Sequence, residues 1–326
     1  MKPAIELQEL TKDYAVGFWR PRPYRALDRL SLAIQTGEVF GFLGPNGAGK
    51  TTTLKLLMQL IFPTSGTAQI LGKPVGHVAT RARIGYLPEN PYFYDYLTAE
   101  ELLTYFAQLL GVPSADRARR VSDLLDRVGL GRERHFQLRK FSKGMIQRVG
   151  IAQALLNEPE VIFLDEPMSG LDPLGRRDVR ALILELREQG RTVFFSSHIL
   201  ADAEALCSRV AVVAGGRLAA SGRLTDLGEF RVRGWELAVT NVSASALERL
   251  RPIATRVTEI STGRYLVDLP LTETPEAVVT MLADAGASLL SLNPLQDTLE
   301  DFFIQRIAAA GAGAREASRT DRDARR

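Results

Sequence analysis

Residues 44–52 read Gly44-Pro45-Asn46-Gly47-Ala48-Gly49-Lys50-Thr51-Thr52, a complete G-x-x-x-x-G-K-[ST] phosphate loop. The apolar run Val39-Phe40-Gly41-Phe42-Leu43 before it has the length of a buried strand. After it, Leu54, Leu57, Met58 and Ile61 recur at helical spacing. The glycines therefore stand where a strand hands over to a helix, the context the motif requires. Gly44, Gly47 and Gly49 let the backbone curl until its N–H groups point at the β- and γ-phosphates of a nucleotide. The helix N-terminus adds a partial charge of roughly +0.5. Lys50 reaches the outer phosphates, and the Thr51 hydroxyl is placed to ligate Mg²⁺. A nucleoside triphosphate site is expected here.

The whole chain sets bounds around that site. Its 326 residues leave room for about two domains. A hydrophobic content of 45% with 24% charged residues is that of an ordinary globular protein. The formal net charge of +3 is too small to argue for nucleic acid, and no long basic stripe with interleaved aromatics occurs. Cys207 is the single cysteine, which excludes an internal disulfide and fits a reducing compartment. The first residues have no apolar h-region, so no signal peptide is expected. Nowhere do 18 apolar residues run together, so a role at a membrane would require recruitment.

A second set of motifs follows in order. Val161-Ile162-Phe163-Leu164 is continuously apolar, as suits a parallel strand buried on both faces, and it ends in Asp165-Glu166-Pro167. Two carboxylates thus fall at a strand's carboxyl end, where open α/β sheets bind ligands. Asp165 is a candidate to hold Mg²⁺ and Glu166 to polarise an attacking water. Phe141-Ser142-Lys143-Gly144-Met145 precedes helical apolar spacing and offers a second helix start suited to anions. Ser169-Gly170-Leu171-Asp172 lies beyond Glu166, and the strand Val193-Phe194-Phe195 closes on Ser196-Ser197-His198. A histidine alone is more often structural; at a strand end on this side of a sheet, His198 is a candidate γ-phosphate contact.

This ordered set resembles the nucleotide-binding subunit of ATP-binding cassette (ABC) transporters over residues 4–225. The resemblance implies a P-loop NTPase fold with a parallel-sheet core, an antiparallel β subdomain and a helical signature subdomain. It makes residues 44–52 the Walker A loop, Asp165 and Glu166 the Walker B acid and catalytic glutamate, Ser169, Gly170, Leu171 and Asp172 the D-loop, and His198 the switch histidine. The signature departs from the usual L-S-G-G-Q. Ser142 and Gly144, the phosphate-contacting positions, are kept, whereas Lys143 and Met145 differ in a way similar to the ABC-2-type export branch. At the Q-loop, Gly85-Tyr86-Leu87-Pro88-Glu89 offers glutamate where the family usually has glutamine. Glu89 can accept from metal-bound water but cannot donate as an amide does. Tyr14 is the best match to the aromatic residue that stacks on adenine.

The resemblance further implies ATP and Mg²⁺ as cofactors and a head-to-tail homodimer. Each ATP would lie between Lys50 and Thr51 of one subunit and Ser142 and Gly144 of its mate. The chain would sit at the cytoplasmic face of the membrane, driving separate integral membrane permease subunits as the ATPase of an exporter. A soluble cassette ATPase acting elsewhere and a non-catalytic nucleotide-binding regulator are the alternatives. Residues 91–98, dense in aromatics, suit either a permease contact or a small satellite core. Residues 18–25 read as a long hairpin loop, either solvated or touching a partner or membrane.

After residue 225 the pattern changes. Strands over 235–239, 256–260, 265–269 and 289–292 and helices over 243–250 and 275–285 give the order β-α-β-β-α-β, a ferredoxin-like unit. The expected organisation is an ATPase domain over 1–225, an accessory α+β domain over 226–308 with a final helix over 298–307, and a disordered charged tail over 309–326.

Overall fold

The computed structural model describes residues 2–227 and 232–296, apart from Phe18 and Arg20. The helix expected over 298–307 and the charged tail over 309–326 lie outside the described residues. Contacts divide the chain into two compact units on either side of the 228–231 segment.

The first unit is built on a six-stranded sheet in the order Arg217–Arg223, Arg209–Ala214, Val39–Leu43, Thr192–Ser197, Val161–Asp165, Ile84–Leu87. All neighbours are parallel except the Arg209–Ala214/Arg217–Arg223 hairpin, whose turn is Gly215-Gly216. The three central strands are buried along their whole length, which explains their unbroken apolar runs. Phe194 packs its ring 5.2 Å from Phe42 and 5.8 Å from Phe163, tying three adjacent strands together on one face.

That face meets a second, antiparallel sheet in the order Arg22–Gln35, Pro3–Val16, Ser65–Ile70, Lys73–Pro74. Here the structure corrects the long-loop reading of residues 18–25. Strand pairing runs out to Val16↔Arg22, with Tyr14 opposite Tyr24. The two prolines that break the pattern lie at the tip, and Pro23 pairs with Ala15 on an edge strand, where a missing N–H is tolerated.

The other face carries the helices Ala99–Leu109, Ser114–Arg127, Lys143–Leu155 and Pro173–Glu188. Their starts are set locally. Thr98 and Glu101 form a reciprocal capping box, Ser142 accepts from the Met145 N–H, and Asp172 accepts from the Gly175 N–H ahead of Pro173.

In the second unit the strands Val232–Thr240, Arg256–Ser261, Arg264–Pro270 and Ser288–Gln296 form one antiparallel sheet. Its spatial order, with the third strand and then the first lying between the second and the fourth, is the split βαβ arrangement expected. Leu237, Val239, Val267 and Leu269 alternate onto one face and are buried with Ala246, Leu250, Val278 and Leu282 of the helices Ala244–Leu250 and Pro275–Asp284.

Candidate functional site

Because Val39–Leu43, Thr192–Ser197 and Val161–Asp165 are parallel neighbours, their carboxyl ends open on the same edge. The phosphate loop, His198 and the Asp165-Glu166 pair are delivered there by sheet order alone. The loop itself is sterically committed. Gly49 has a left-handed φ of 107°, and a Cβ on it would stand 2.6 Å from Leu27 Cδ2. A Cβ on Gly44 would stand 2.5 Å from the Val213 carbonyl oxygen. Neither position admits another residue without displacing its neighbours.

A cavity of about 390 Å³ opens over this edge. It is lined by Pro45, Asn46, Gly47 and Gly49 of the loop, by Lys50, Thr51 and Thr52 at the helix start, and by Tyr14, Tyr24, Ala26, Glu89 and Glu166. Tyr14 has Lys12 Nζ 5.2 Å from its ring centroid on one side. Gly44 and Ala48 shape the loop without lining the cavity.

Lys50 is almost fully buried. Its ammonium donates to the Gly44 carbonyl (2.7 Å) and lies 3.2 Å from Glu166 Oε1. The other Glu166 oxygen is 2.9 Å from His198 Nδ1. The Glu166 carboxylate is therefore held between Lys50 and His198. Its backbone adopts a left-handed φ of 50°, uncommon for a residue with a side chain.

Asp165 is fully buried. Its Oδ1 accepts from the Ser196 hydroxyl (2.6 Å), while Oδ2 is buried with no hydrogen-bond partner among the described residues. Burial pushes this carboxyl above its ordinary value, the bonded Ser196 hydroxyl and the neighbouring Thr51 hydroxyl pull it back, Glu89 pushes it up and Lys50 draws it down. Burial beside the same two carboxylates pushes the Tyr86 phenol up to about 12. An orphaned carboxylate oxygen near a hydroxyl, with Glu89 lining the cavity, is a hard-oxygen set of the kind Mg²⁺ takes. No group of three acidic, histidine or cysteine side chains among the described residues is arranged to hold a metal ion by itself. Most ligands to such an ion would come from nucleotide phosphates and water.

The signature residues stand apart from this cavity. Ser142, Lys143, Gly144 and Met145 open their helix against the D-loop: a Cβ on Gly144 would meet Leu171 Cδ2 at 3.1 Å. The Lys143 stem lies over Gly170, whose φ is 73°. No residue of the signature or of 169–172 lines the cavity of its own chain among the described residues. Residues 91–98 divide by exposure. Phe93 and Leu97 pack on the helical core, while Tyr92, Tyr94 and Tyr96 are exposed. The Tyr94 ring is tilted against Tyr96 at 5.9 Å and meets Tyr105 edge to face at 6.4 Å.

Comparison with known proteins decides the family. The ABC transporter family model matches residues 27–169. An uncharacterised ABC transporter ATP-binding protein of Synechocystis is 46% identical over 310 residues, covering 94% of this chain and 85% of its own length. This chain belongs to the ABC transporter ATP-binding proteins. The bacitracin transport ATP-binding protein BcrA of Bacillus licheniformis is 32% identical over 96% of this chain and all of its own. A solved dimeric ATP-binding cassette in a post-hydrolysis state, bound to ADP and Pi, superposes with a TM-score of 0.62 at 27% identity, covering 68% of this chain and 98% of that one. The fold is thus the ABC ATPase cassette, and the chain is an ABC-type ATPase.

Three residues of this cassette escape a motif reading. Ser196, read only as part of a strand end, holds both Asp165 and, as acceptor, the Glu166 N–H (3.0 Å). Tyr24 reaches the cavity only because the hairpin continues past Pro23. Gln147 is a buried amide on an otherwise apolar helix face, and nothing in its spacing distinguishes it from a solvated position.

Proposed function

We propose that the chain is the ATP-hydrolysing subunit of an exporter, bound peripherally at the cytoplasmic face of the membrane through separate integral membrane permease subunits and working as a head-to-tail homodimer. The observation that carries this reading is the Glu166 carboxylate held between Lys50 and His198 at the mouth of the phosphate loop. A buried carboxylate beside a γ-phosphate site is positioned to accept a proton from attacking water, and His198 to steady that carboxylate and the phosphate. Lys50 and loop N–H groups between Asn46 and Thr52 would neutralise phosphate charge, and a γ-phosphate would share Lys50 with Glu166. Thr51, Asp165 and, through water, Glu89 would hold Mg²⁺, which when bound supplies further charge neutralisation. Tyr14 would stack on adenine with the ring face opposite Lys12.

The exposed Ser142 and Lys143 and the half-buried Gly144, beside residues 169–172, support a trans role, in which this surface closes the partner's nucleotide site. Two equivalent sites in a C2 pair follow from one cassette per chain. Exposed Tyr92, Tyr94 and Tyr96 on a packed base suit a permease contact, since aromatic anchors dominate such interfaces. No described helix is long and apolar enough to cross a membrane. Kinship with bacitracin transport and linearmycin resistance ATP-binding proteins supports export. The second unit is proposed as an accessory domain.

Affinity purification from detergent-solubilised host membranes tests the reading. A polytopic membrane protein recovered in equal amount is expected; recovery from the soluble fraction with ribosomal or DNA-associated proteins would overturn the transporter assignment and leave the ATPase.

A further inference from the structure

Gln147 is almost completely buried, at 1% exposure, in the helix Lys143–Leu155 that begins with the signature. Its side-chain amide donates to the main-chain oxygens of Glu166 and Pro167, each at 3.4 Å. These are long bonds, but their targets are informative. Glu166 is the residue with the left-handed backbone, and its conformation is held from three directions. Its N–H donates to Ser196 Oγ (3.0 Å), and its carbonyl accepts from the Ser169 N–H (3.0 Å) as well as from Gln147. A left-handed residue with a side chain persists where its surroundings over-determine it. Ser196 belongs to a central strand and Ser169 to the same tight turn as Glu166. Gln147 alone among the three comes from the helical subdomain.

We infer that Gln147 is a positioning residue for hydrolysis: it ties the Glu166–Pro167 turn to the signature helix and thereby aims the Glu166 carboxylate. It stands little more than one turn from Ser142, so a shift of the signature end of the helix moves the amide and the turn bonded to it. Orientation of the signature face is thereby coupled to the direction of the carboxylate between Lys50 and His198. The inference rests on the reading of Glu166 as the base, and Gln147 itself touches no nucleotide.

The test compares Mg-ATP turnover and ADP binding in the full chain for wild type, Gln147→Met, Gln147→Glu and Glu166→Gln. Methionine keeps the length and burial and removes the donor. Turnover by Gln147→Met is expected to fall about 10–100-fold, as a misaimed catalytic group implies. KM for ATP and the ADP affinity should stay within about twofold, the pattern of a loss felt in the transition state. Gln147→Glu gives a readout that packing alone would not move. A protonated carboxylic acid donates a hydrogen bond to a carbonyl and a carboxylate does not. Turnover of Gln147→Glu relative to wild type should therefore rise as pH falls from about 8 to about 6, where a buried glutamate regains its proton. Wild-type turnover by Gln147→Met beside an inactive Glu166→Gln would overturn the inference and leave the base in place. Wild-type turnover by Glu166→Gln would remove the base itself. If Gln147→Met does not fold, the pH profile of Gln147→Glu decides, and a ratio constant with pH overturns the inference.

Discussion

Residues 2–227 bury Lys50, Gln147, Asp165, Glu166, Ser196 and Asp202, whereas every buried residue described in 232–296 is apolar or glycine. The two units put their sheets to different uses. The antiparallel sheet of 232–296 alternates, with one face packed on two helices, and needs no buried charge. The parallel sheet of the cassette is covered on both faces, and its strand ends concentrate groups that burial disfavours. Polarity that costs stability in one unit is missing from the other, which points to the cassette edge as the place where chemistry is done. Asp165 shows this most sharply, because one of its oxygens has no hydrogen-bond partner among the described residues.

Asp165→Asn should break the contrast with the largest effect. Mg-dependent turnover should fall at least about 100-fold, since a metal-holding acid supplies several kcal/mol of transition-state stabilisation. The nucleotide-free protein should at the same time become more stable at neutral pH. The folded pKa of Asp165 lies above its ordinary value, so the stability linked to its proton is present below the unfolded pKa and lost as pH rises through the folded one. Asparagine removes that loss. A thermal midpoint raised by about 2–4 °C at pH 7, corresponding to about 1 kcal/mol, should be seen in a melting scan, and the gain should shrink toward pH 4. A lower midpoint at pH 7 would contradict the strained-edge reading.

Leu237→Ala tests the other side of the contrast. Emptying this core position should cost about 2–5 kcal/mol within residues 232–296, visible as faster amide exchange confined to that unit. Cassette turnover should be unchanged; a parallel loss would show that the second unit is not energetically separate.

Smaller effects sharpen the cavity itself. Tyr14→Ala should weaken ATP binding by about 1–3 kcal/mol, the range for aromatic stacking on a base. Tyr24→Ala should weaken it less, because Tyr24 is 53% exposed whereas Tyr14 is more buried, with Lys12 over its ring. Equilibrium titration of both variants checks the order. Thr98→Ala should cost about 1 kcal/mol of stability by removing one arm of the capping box, with turnover intact.

Much of this is legible in the sequence itself. The phosphate loop, Asp165-Glu166 and His198 announce themselves because each combines a special residue with a strand end, and the six alternating elements of 232–296 follow from period and turn residues. What stayed hidden depends on residues distant in sequence meeting in space. Lys50 and Glu166 are 3.2 Å apart although Thr192–Ser197 separates their strands in the sheet, Gln147 becomes buried only when its helix packs beside the Glu166–Pro167 turn, and Tyr24 follows two prolines that read as loop. Register on an edge strand and burial of a single polar side chain leave no periodic trace.

The most direct measurement is phosphate release by purified Glu166→Gln with Mg-ATP, read together with its oligomeric state by size-exclusion chromatography. Removing the proton-accepting carboxylate while keeping the side chain's shape should lower turnover by about 10²–10⁴-fold and accumulate an ATP-bound dimer. Wild-type turnover, or ATP binding that leaves the variant monomeric, would contradict a Glu166-driven, dimer-forming ATPase.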